Sequence, residues 1–268
     1  MQTTRRLVFL KLGGSLITDK ATAHTARREV LTRLAREISA ALQKDPDLSL
    51  VLGHGSGSFG HFAAQKYGTY TGVHTSLEWR GFAEVWKEAR ALNEIVMDAL
   101  VQAGLPVMAF PASAIAITSK RAVLRCETET LQKALQHDLI PVIQGDVVFD
   151  TILGGTILST EDQFFHLAPR LEPQRILLAG VEPGVWSDYP ACKQLFDRIH
   201  LNDYTKIAPA LGASAGVDVT GGMTQKVSRM LDVIRANPRL EIRIFSGVES
   251  NSIERALLGA ESGTLLSA

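Results

Sequence analysis

The sequence contains very little cysteine and no excess of charge of either sign. Two cysteines, Cys126 and Cys192, occur among 268 residues, and neither belongs to a CxxC or Cys/His motif. This scarcity argues against a disulfide framework and a structural zinc site, and it predicts a reduced, cytoplasmic compartment. Lysine and arginine total 28, and aspartate and glutamate also total 28. Without net charge, the protein is not expected to bind nucleic acid or an anionic membrane surface.

Long hydrophobic runs are also missing. The apolar stretch at residues 7–10 is interrupted by Lys11, which makes it too short for a signal peptide or a membrane span. We expect it to form the first buried strand. Apolar residues still make up 46% of the chain, which is enough for a full core and excludes disorder of the whole chain. Because the chain also has no net charge, an anionic ligand must be held by local chemistry rather than by bulk charge.

Strand-like and helix-like segments alternate along the chain. Six short apolar runs predict strands buried on both faces, at residues 7–12, 48–52, 106–110, 139–144, 175–179 and 241–245. Helical periodicity predicts helices at residues 26–43, 77–103, 128–137, 160–168 and 225–236. The alternation predicts an α/β fold, an αβα sandwich around a mainly parallel open sheet. We expect residues 1–169 to form an N-terminal lobe and residues 170–268 a C-terminal lobe of one continuous sheet.

The first predicted strand ends in a lysine and a tight glycine turn, Lys11-Leu12-Gly13-Gly14-Ser15. Two glycines let the backbone approach a ligand closely and expose its N–H groups, and the lysine can reach a phosphate. This is not a Walker A loop, because the lysine precedes the glycines. Gly-Gly-Ser can equally be an ordinary tight turn. Lys20 can be a second cation of the same site or a solvated lysine.

The densest glycine cluster follows the second predicted strand, in the segment Gly53-His54-Gly55-Ser56-Gly57-Ser58-Phe59-Gly60-His61. Four glycines within eight residues cost conformational entropy, so the loop must need its bare backbone. Successive N–H groups next to a helix start form an anion site. A histidine at the end of this loop can donate to a phosphate oxygen. We favour that role for His61 over a structural one, whereas His54 is expected to be structural.

Two further segments combine glycine with charge. Gly145-Asp146 follows a predicted strand, and Ser159-Thr160-Glu161-Asp162 is typical of a helix cap with acids in the first turn. A carboxylate near two lysines can also hold their ammonium groups, so Asp146 and Asp162 are candidates for either role. In the last segment, Gly221-Gly222-Met223-Thr224-Gln225-Lys226, the lysine lies one helical turn past the glycines. The four segments together indicate a polyphosphate site.

These segments resemble the amino acid kinase family, and within it the isopentenyl phosphate kinases. Residues 11–20 are similar to the family opening LKxGGSxITxK, and residues 57–61 match its GSFGH motif. The resemblance implies ATP and Mg²⁺ as cofactors, isopentenyl phosphate as the small-molecule acceptor, and a homodimer. It further implies that His61 contacts the acceptor phosphate, that Lys11 and Lys226 bind the ATP phosphates, and that Lys20 assists.

The resemblance also sets the expected binding residues. The catalytic set is Lys11, Lys20, His61, Asp162 and Lys226. The nucleotide-binding set is Lys11, Gly13, Gly14, Ser15, Gly180, Trp186, Gly221, Gly222 and Lys226. The acceptor-binding set is Gly55, Ser56, Gly57, Gly60, His61, Phe82, Trp86, Gly145, Asp146 and Thr160.

Two motifs depart from the family pattern. Thr160 stands where the family motif SGDD has glycine, and residues 179–186 resemble TDVDGVY with an extra residue and without the first aspartate. Contacts to ribose and adenine therefore do not carry over. Trp186 can either pack near the base or belong to the core.

The acceptor's alkyl group requires an apolar slot. Along the predicted helix 77–103, Trp79, Phe82, Val85, Trp86 and Ala89 recur at three- and four-residue intervals and form an apolar face. Such a face is usually core, but the helix follows the phosphate loop and can line a slot for a short branched chain. Our hypothesis is that Phe82 and Trp86 form its walls.

Other functions fit the same glycine segments. The aromatic face argues against a fosfomycin or other phosphonate kinase, because such an enzyme would need a small polar pocket. An acetylglutamate or carbamate kinase would not be expected to carry His61. A non-catalytic nucleotide-binding module of this fold would need fewer charges than Lys11, Lys20, Asp162 and Lys226 provide.

Overall fold

The computed structural model describes residues 5–19, 21–211 and 222–268. Within these ranges the strands are β1 (Arg6–Leu12), β2 (Leu48–His54), β3 (Val107–Ala109), β4 (Ala116–Ser119), β5 (Ala122–Cys126), β6 (Ile140–Gln144), β7 (Asp146–Asp150), β8 (Gly154–Leu158), β9 (Arg175–Gly180), β10 (Arg198–His200), β11 (Glu241–Ser246) and β12 (Thr264–Ser267). The helices are α1 (Gly14–Ile17), α2 (Arg28–Lys44), α3 (Gly57–Tyr67), α4 (Ser76–Gln102), α5 (Ala112–Ile115), α6 (Glu129–Gln136), α7 (Thr160–Leu171), α8 (Tyr204–Ile207), α9 (Gly222–Ala236) and α10 (Ser252–Leu257). Two short 3₁₀ turns, Leu201–Asp203 and Ala208–Ala210, flank α8.

Eight of these strands form one sheet in the order β10-β12-β11-β9-β1-β2-β6-β3. Every pairing is parallel except that of β11 with β12. The predicted mainly parallel sheet is therefore confirmed, and all six predicted strands belong to it. The sheet continues across residue 170: the strands before that position form one half and those after it the other.

Helices cover both faces of this sheet, because its central strands are apolar on both sides. In β1, Val8 and Leu10 pack with α2, α4 and α10, whereas Phe9 packs on the opposite face with α6, α7 and α9. Side chains alternate across a strand, so a continuous apolar run supplies two cores at once. This is the αβα sandwich that the sequence predicts.

A second, four-stranded sheet in the order β5-β4-β7-β8 was not predicted. The sequence was interpreted as glycine turns at residues 145–156, but most of that segment forms the β7–β8 hairpin. β7 has acidic residues at both ends, and β4 pairs with it across about thirty residues of chain. Such short, partly polar strands give little local signal.

The glycine turns gather at one edge of the large sheet. Parallel register places Lys11 beside Gly53 and Leu12 beside both His54 and Ala179. The chain therefore leaves β1, β2 and β9 at the same level, where ligands bind in open α/β sheets. Among the described residues, no helix combines the length and apolar character that crossing a membrane requires.

Candidate active site

A cavity of about 300 Å³ opens at this edge of the sheet. Its walls combine glycine turns, charged side chains and a small apolar region. The predicted residues that line it are Lys11, Gly13, Gly14, Ser15, Gly55, Ser56, Gly60, His61, Gly145, Asp146, Thr160, Asp162, Gly180, Gly222 and Lys226. Segments more than 200 residues apart in sequence thus meet in one cavity, as the hypothesis of a single polyphosphate site requires.

The glycine turns form the floor of the cavity by backbone contact. A Cβ on Gly14 would lie 2.8 Å from the backbone of Gly57, and a Cβ on Gly13 would lie 2.9 Å from the carbonyl oxygen of Ala179. The Gly13 N–H donates to that same oxygen at 2.8 Å. Side chains larger than hydrogen would force these backbone segments apart, so the glycines allow the three turns to meet at the cavity. The floor therefore fits an anionic ligand bound through the main chain.

The GSFGH motif is the first turn of α3, and not a loop ahead of it as the sequence suggested. This places His61 on the helix, with its side chain in the cavity wall. Gly57 does not line the cavity: it has a left-handed φ of 50°, and a Cβ there would lie 2.2 Å from Thr18 Oγ1. Its predicted contact with the acceptor is corrected to a structural role. Thr18 Oγ1 accepts the Ser58 N–H at 3.0 Å and donates to the Gly14 carbonyl at 2.7 Å, which joins the two turns.

Helix N-termini add partial positive charge to the same space. Residues from the first turns of α3, α7 and α9 all line the cavity. The helix dipole favours anions at such ends, although the Ser58 N–H of α3 and the Asp162 N–H of α7 already donate to Thr18 and Ser159. Three converging helix starts are consistent with a ligand that carries several negative charges.

The carboxylate that holds the lysines is Glu161 rather than Asp162. The Lys11 ammonium forms a buried ion pair with Glu161. Burial alone would raise the pKa of Glu161, but Lys11 and Lys226 outweigh it and keep that pKa below its ordinary value. Glu161 therefore stays ionised between the two lysines. Asp162, which the sequence offered as a candidate for this role or for the helix cap, pairs instead with Arg229 at 2.5 Å.

The cap of α7 explains why threonine is tolerated where the family has glycine. Ser159 is the N-cap and accepts the Asp162 N–H at 3.0 Å. The Thr160 hydroxyl donates to the His54 carbonyl at 2.7 Å. A Cβ on Gly53 would lie 2.4 Å from the Thr160 methyl group, so the glycine on β2 makes room for the extra carbons. Thr160 thus packs into the sheet edge and still lines the cavity.

Asp146 and His54 are buried polar groups beside the cavity. Asp146 accepts hydrogen bonds from the Ser113 N–H and hydroxyl and from the Val147 N–H. Burial nevertheless raises its pKa. His54 contacts Asn93 Oδ1 at 3.0 Å, and burial lowers its pKa, so it remains neutral. His54 is structural in this arrangement, as the sequence indicated.

The apolar end of the cavity is formed by small and branched side chains. Ala64, Val85, Ala89 and Ile157 line it. The hypothesis that Phe82 and Trp86 form its walls is corrected. Successive residues on a helix are turned by about 100°, so Val85 and Ala89 face the cavity while Trp86 turns away and is 38% exposed.

Phe82 packs behind the cavity wall instead. It belongs to a cluster with Val73, Val85 and Val147, and its ring lies 5.2 Å from that of Trp79. It therefore supports Val85 without lining the cavity.

Three further predicted site residues are not among the described residues that line the cavity. Trp186 lies outside its wall and donates its indole N–H to Glu182 at 2.7 Å, although Gly180 on the neighbouring strand does line it. Lys20 and Gly221 lie outside the described residues.

Several cavity residues were missed by the sequence analysis. Glu161 was interpreted only as a helix-cap acid, and Tyr70, Arg121, Ile157 and Arg229 were not considered. A lysine and a glutamate 150 positions apart give no pairing signal. Arg121 had one recognisable signal, since the pair Lys120-Arg121 interrupts two strand-like runs.

Comparison with known proteins decides the family. The model of the "Amino acid kinase family" matches residues 6–246. The chain belongs to the amino acid kinase family. An isopentenyl phosphate kinase of Methanocaldococcus jannaschii is 34% identical over 96% of this chain and 97% of its own. An isopentenyl phosphate kinase of Arabidopsis thaliana is 30% identical over 81% of this chain and 70% of its own.

Solved structures of this family have the same fold. An X-ray structure of an isopentenyl phosphate kinase aligns with a TM-score of 0.82 at 29% identity, covering 97% of this chain and 100% of that one. The product complex of the Thermoplasma acidophilum isopentenyl phosphate kinase, at 24% identity, aligns with a TM-score of 0.76 over 97% of this chain and 99% of that one. The predicted amino acid kinase fold is confirmed.

Proposed function

We propose that this protein transfers the γ-phosphoryl group of ATP to isopentenyl phosphate, giving isopentenyl diphosphate and ADP. The observation that carries the proposal is the division of one cavity into two chemically different ends. Lys11 and Lys226 both act on Glu161, and the three residues form the charged end. Val85 and Ile157 pack in one apolar cluster and, with Ala89, form the apolar end, and His61 lines the same cavity. An acceptor with a phosphate and a short alkyl chain matches this division.

The charged end fits the phosphates of ATP. Backbone N–H groups, three helix starts and two lysines supply positive partners, and the bare glycine floor leaves space for the chain of phosphates. Glu161 keeps the ammonium of Lys11 in place, so the lysine is ordered before the nucleotide arrives. We assign Lys11 and Lys226 to the ATP phosphates, with Gly13, Gly14 and Ser15 below them.

His61 is assigned to the acceptor phosphate. Its position near the start of α3 places an imidazole in the same wall as the backbone of Gly55 and Ser56. The Gly55 N–H itself donates to the Leu12 carbonyl at 3.2 Å, so the imidazole is the main donor on this side. A phosphate monoester is largely ionised near neutral pH and is itself the nucleophile, so no general base is needed. The protein's contribution is alignment and charge neutralisation in an in-line transfer.

Mg²⁺ would supply further charge neutralisation at the phosphates. Within residues 5–19, 21–211 and 222–268, no group of three histidine, cysteine or acidic side chains is placed to hold a metal ion. Mg²⁺ commonly binds through substrate phosphates, water and one or two carboxylates rather than in a protein cage. The cavity carboxylate of Asp162 fits that requirement. The proposal also assigns acceptor-phosphate binding to the N-terminal lobe, residues 1–169, and nucleotide binding to the C-terminal lobe, residues 170–268. It includes a cytoplasmic location and a homodimer, and light scattering on the purified protein tests the dimer.

The test is ADP release on mixing the protein with ATP, Mg²⁺ and isopentenyl phosphate, followed by detection of isopentenyl diphosphate. We expect turnover with this acceptor and little with fosfomycin, because branched aliphatic side chains form the acceptor end. Preferential turnover of fosfomycin would replace the proposed acceptor. ATP binding without turnover of any phosphate monoester would indicate a non-catalytic module.

A further inference from the structure

Arg121 lines the cavity although nothing in the sequence motifs assigns it a role. It lies in the two-residue turn between β4 and β5. Lys120 and Arg121 both have left-handed backbone conformations, with φ of 49° and 69°. This region is unfavourable for residues other than glycine, and such strain persists only where the surroundings enforce it. The turn therefore presents its side chains at a cost in strain.

Asp150 enforces this turn. Its carboxylate is buried and accepts five hydrogen bonds from the surrounding loop. The donors are the N–H groups of Lys120 at 3.1 Å, Arg121 at 2.8 Å, Ile152 at 2.9 Å and Leu153 at 2.9 Å, and the Thr118 hydroxyl at 2.8 Å. One side chain thus fixes both the β4–β5 turn and the β7–β8 turn. The position of Arg121 is determined by the small sheet and is not that of a free surface loop.

The Arg121 side chain stacks on an aromatic ring at the cavity. Its guanidinium carbon lies 3.6 Å from the centroid of the Tyr70 ring, and both residues line the cavity. Burial lowers the pKa of Arg121, and among the charged residues of the cavity Asp162 opposes this shift while Arg229 adds to it. Within the described part of the chain, no carboxylate forms an ion pair with Arg121. The ring orients the guanidinium while its N–H groups stay available to an anion.

We propose that Arg121 binds the acceptor phosphate, donating from its planar guanidinium to the phosphate oxygens while it remains stacked on Tyr70. This deepens the proposed function and rests on it. The acceptor phosphate is favoured over the ATP phosphates as the ligand, because the elements that hold Arg121 and Tyr70 also form the acceptor part of the cavity. The small sheet that carries Arg121 also supplies Ile157 to the apolar end, and Tyr70 follows α3, the helix that carries His61 near its start. Arginine suits this role because its N–H fork matches two phosphate oxygens.

The experiment compares Arg121→Ala with Lys120→Ala. Lys120 is a matched control, since it shares the turn, the left-handed backbone and a hydrogen bond to Asp150 but does not line the cavity. A hydrogen bond to a charged group is worth about one to two orders of magnitude in an equilibrium constant. We expect Arg121→Ala to lower kcat/KM for isopentenyl phosphate by about 10- to 100-fold, with the KM for ATP little changed. Lys120→Ala should behave as wild type, and Arg121→Lys should recover part of the loss.

The affinity for inorganic phosphate tests the role of Arg121 independently of which acceptor the protein uses. It is measured by thermal shift with saturating ADP. If wild-type protein does not phosphorylate isopentenyl phosphate, the proposed function fails, yet weaker phosphate binding by Arg121→Ala than by Lys120→Ala would still support Arg121 as a phosphate ligand. Equal behaviour of the two variants, whether both active or both impaired, would overturn the role of the guanidinium. A loss confined to the KM for ATP would overturn the assignment to the acceptor.

Discussion

The buried pair of Lys11 and Glu161 permits a quantitative prediction for Glu161→Gln. The two side chains are only 11% and 12% exposed. Removing the carboxylate leaves an ammonium with no counter-ion in a mostly desolvated position, and breaking a buried pair in this way costs about 3–5 kcal/mol. Because the pair borders an open cavity, we expect the lower end, about 3 kcal/mol. In a chain of about this size, each kcal/mol of lost stability lowers Tm by about 2–4 °C, so Tm should fall by about 6–12 °C.

The assay is thermal unfolding followed by circular dichroism, with and without ATP. ATP phosphates supply negative charge beside Lys11, so the deficit in Tm should shrink when nucleotide is present. Turnover should fall as well, because the lysine loses the group that orients it. Asp162→Asn is the control for Tm: the neighbouring acid pairs with Arg229, whose side chain is 36% exposed, and such pairs contribute about 0–1 kcal/mol. It is not a control for turnover, because Asp162 is the carboxylate proposed for Mg²⁺. If Glu161→Gln melted within about 2 °C of wild type, less than 1 kcal/mol on this scale, with full turnover, the reasoning would be refuted.

Four further variants probe the rest of the account. His61→Ala should lower turnover about 10²–10³-fold, as removal of an oxyanion contact does, with an unchanged circular dichroism spectrum; normal turnover would count against an acceptor contact. Ile157→Ala should raise kcat/KM for longer prenyl phosphates because it enlarges the apolar end, whereas Trp86→Ala should leave chain-length selectivity unchanged; the reverse pattern in a competition assay would show that the slot is misplaced. In Asp150, burial alone would raise the pKa, but the Arg121 N–H and the other donors hold it well below its ordinary value, so its contribution to stability is present above about pH 3.9 and is lost as the pH falls below it. Asp150→Asn should therefore be less stable to urea at pH 7 and lose less stability on acidification than wild type does; identical pH profiles would contradict this.

The large sheet was predictable because its central strands are buried on both faces. A run such as residues 7–12 has one interpretation in an α/β protein, and the helices between the runs have clear periodicity. The four-stranded sheet was not predictable in this way. Its strands are short, β7 begins and ends with aspartate, and its pairings depend on distant partners.

The candidate site, too, was predictable only where its residues have a local sequence pattern. Glycine turns, Lys11, His61 and Lys226 were recognisable because bare backbone next to a helix start has a local sequence pattern. The partner of Lys11 was not, since Glu161 and Asp162 are adjacent and equivalent in sequence and only the rotation of α7 decides which one faces the lysine. The same applies to α4, where the cavity-lining Val85 and the exposed Trp86 are consecutive residues.

The central claim is that one cavity holds both substrates, with the phosphates between the lysines and His61. The most direct measurement is a crystal structure with a non-hydrolysable ATP analogue and isopentenyl phosphate. The account predicts the nucleotide phosphates over Gly13 and Gly14, the acceptor phosphate at His61, and the alkyl chain against Ala89 and Ile157. An acceptor bound outside this cavity, or a nucleotide whose phosphates do not contact Lys11, would contradict it.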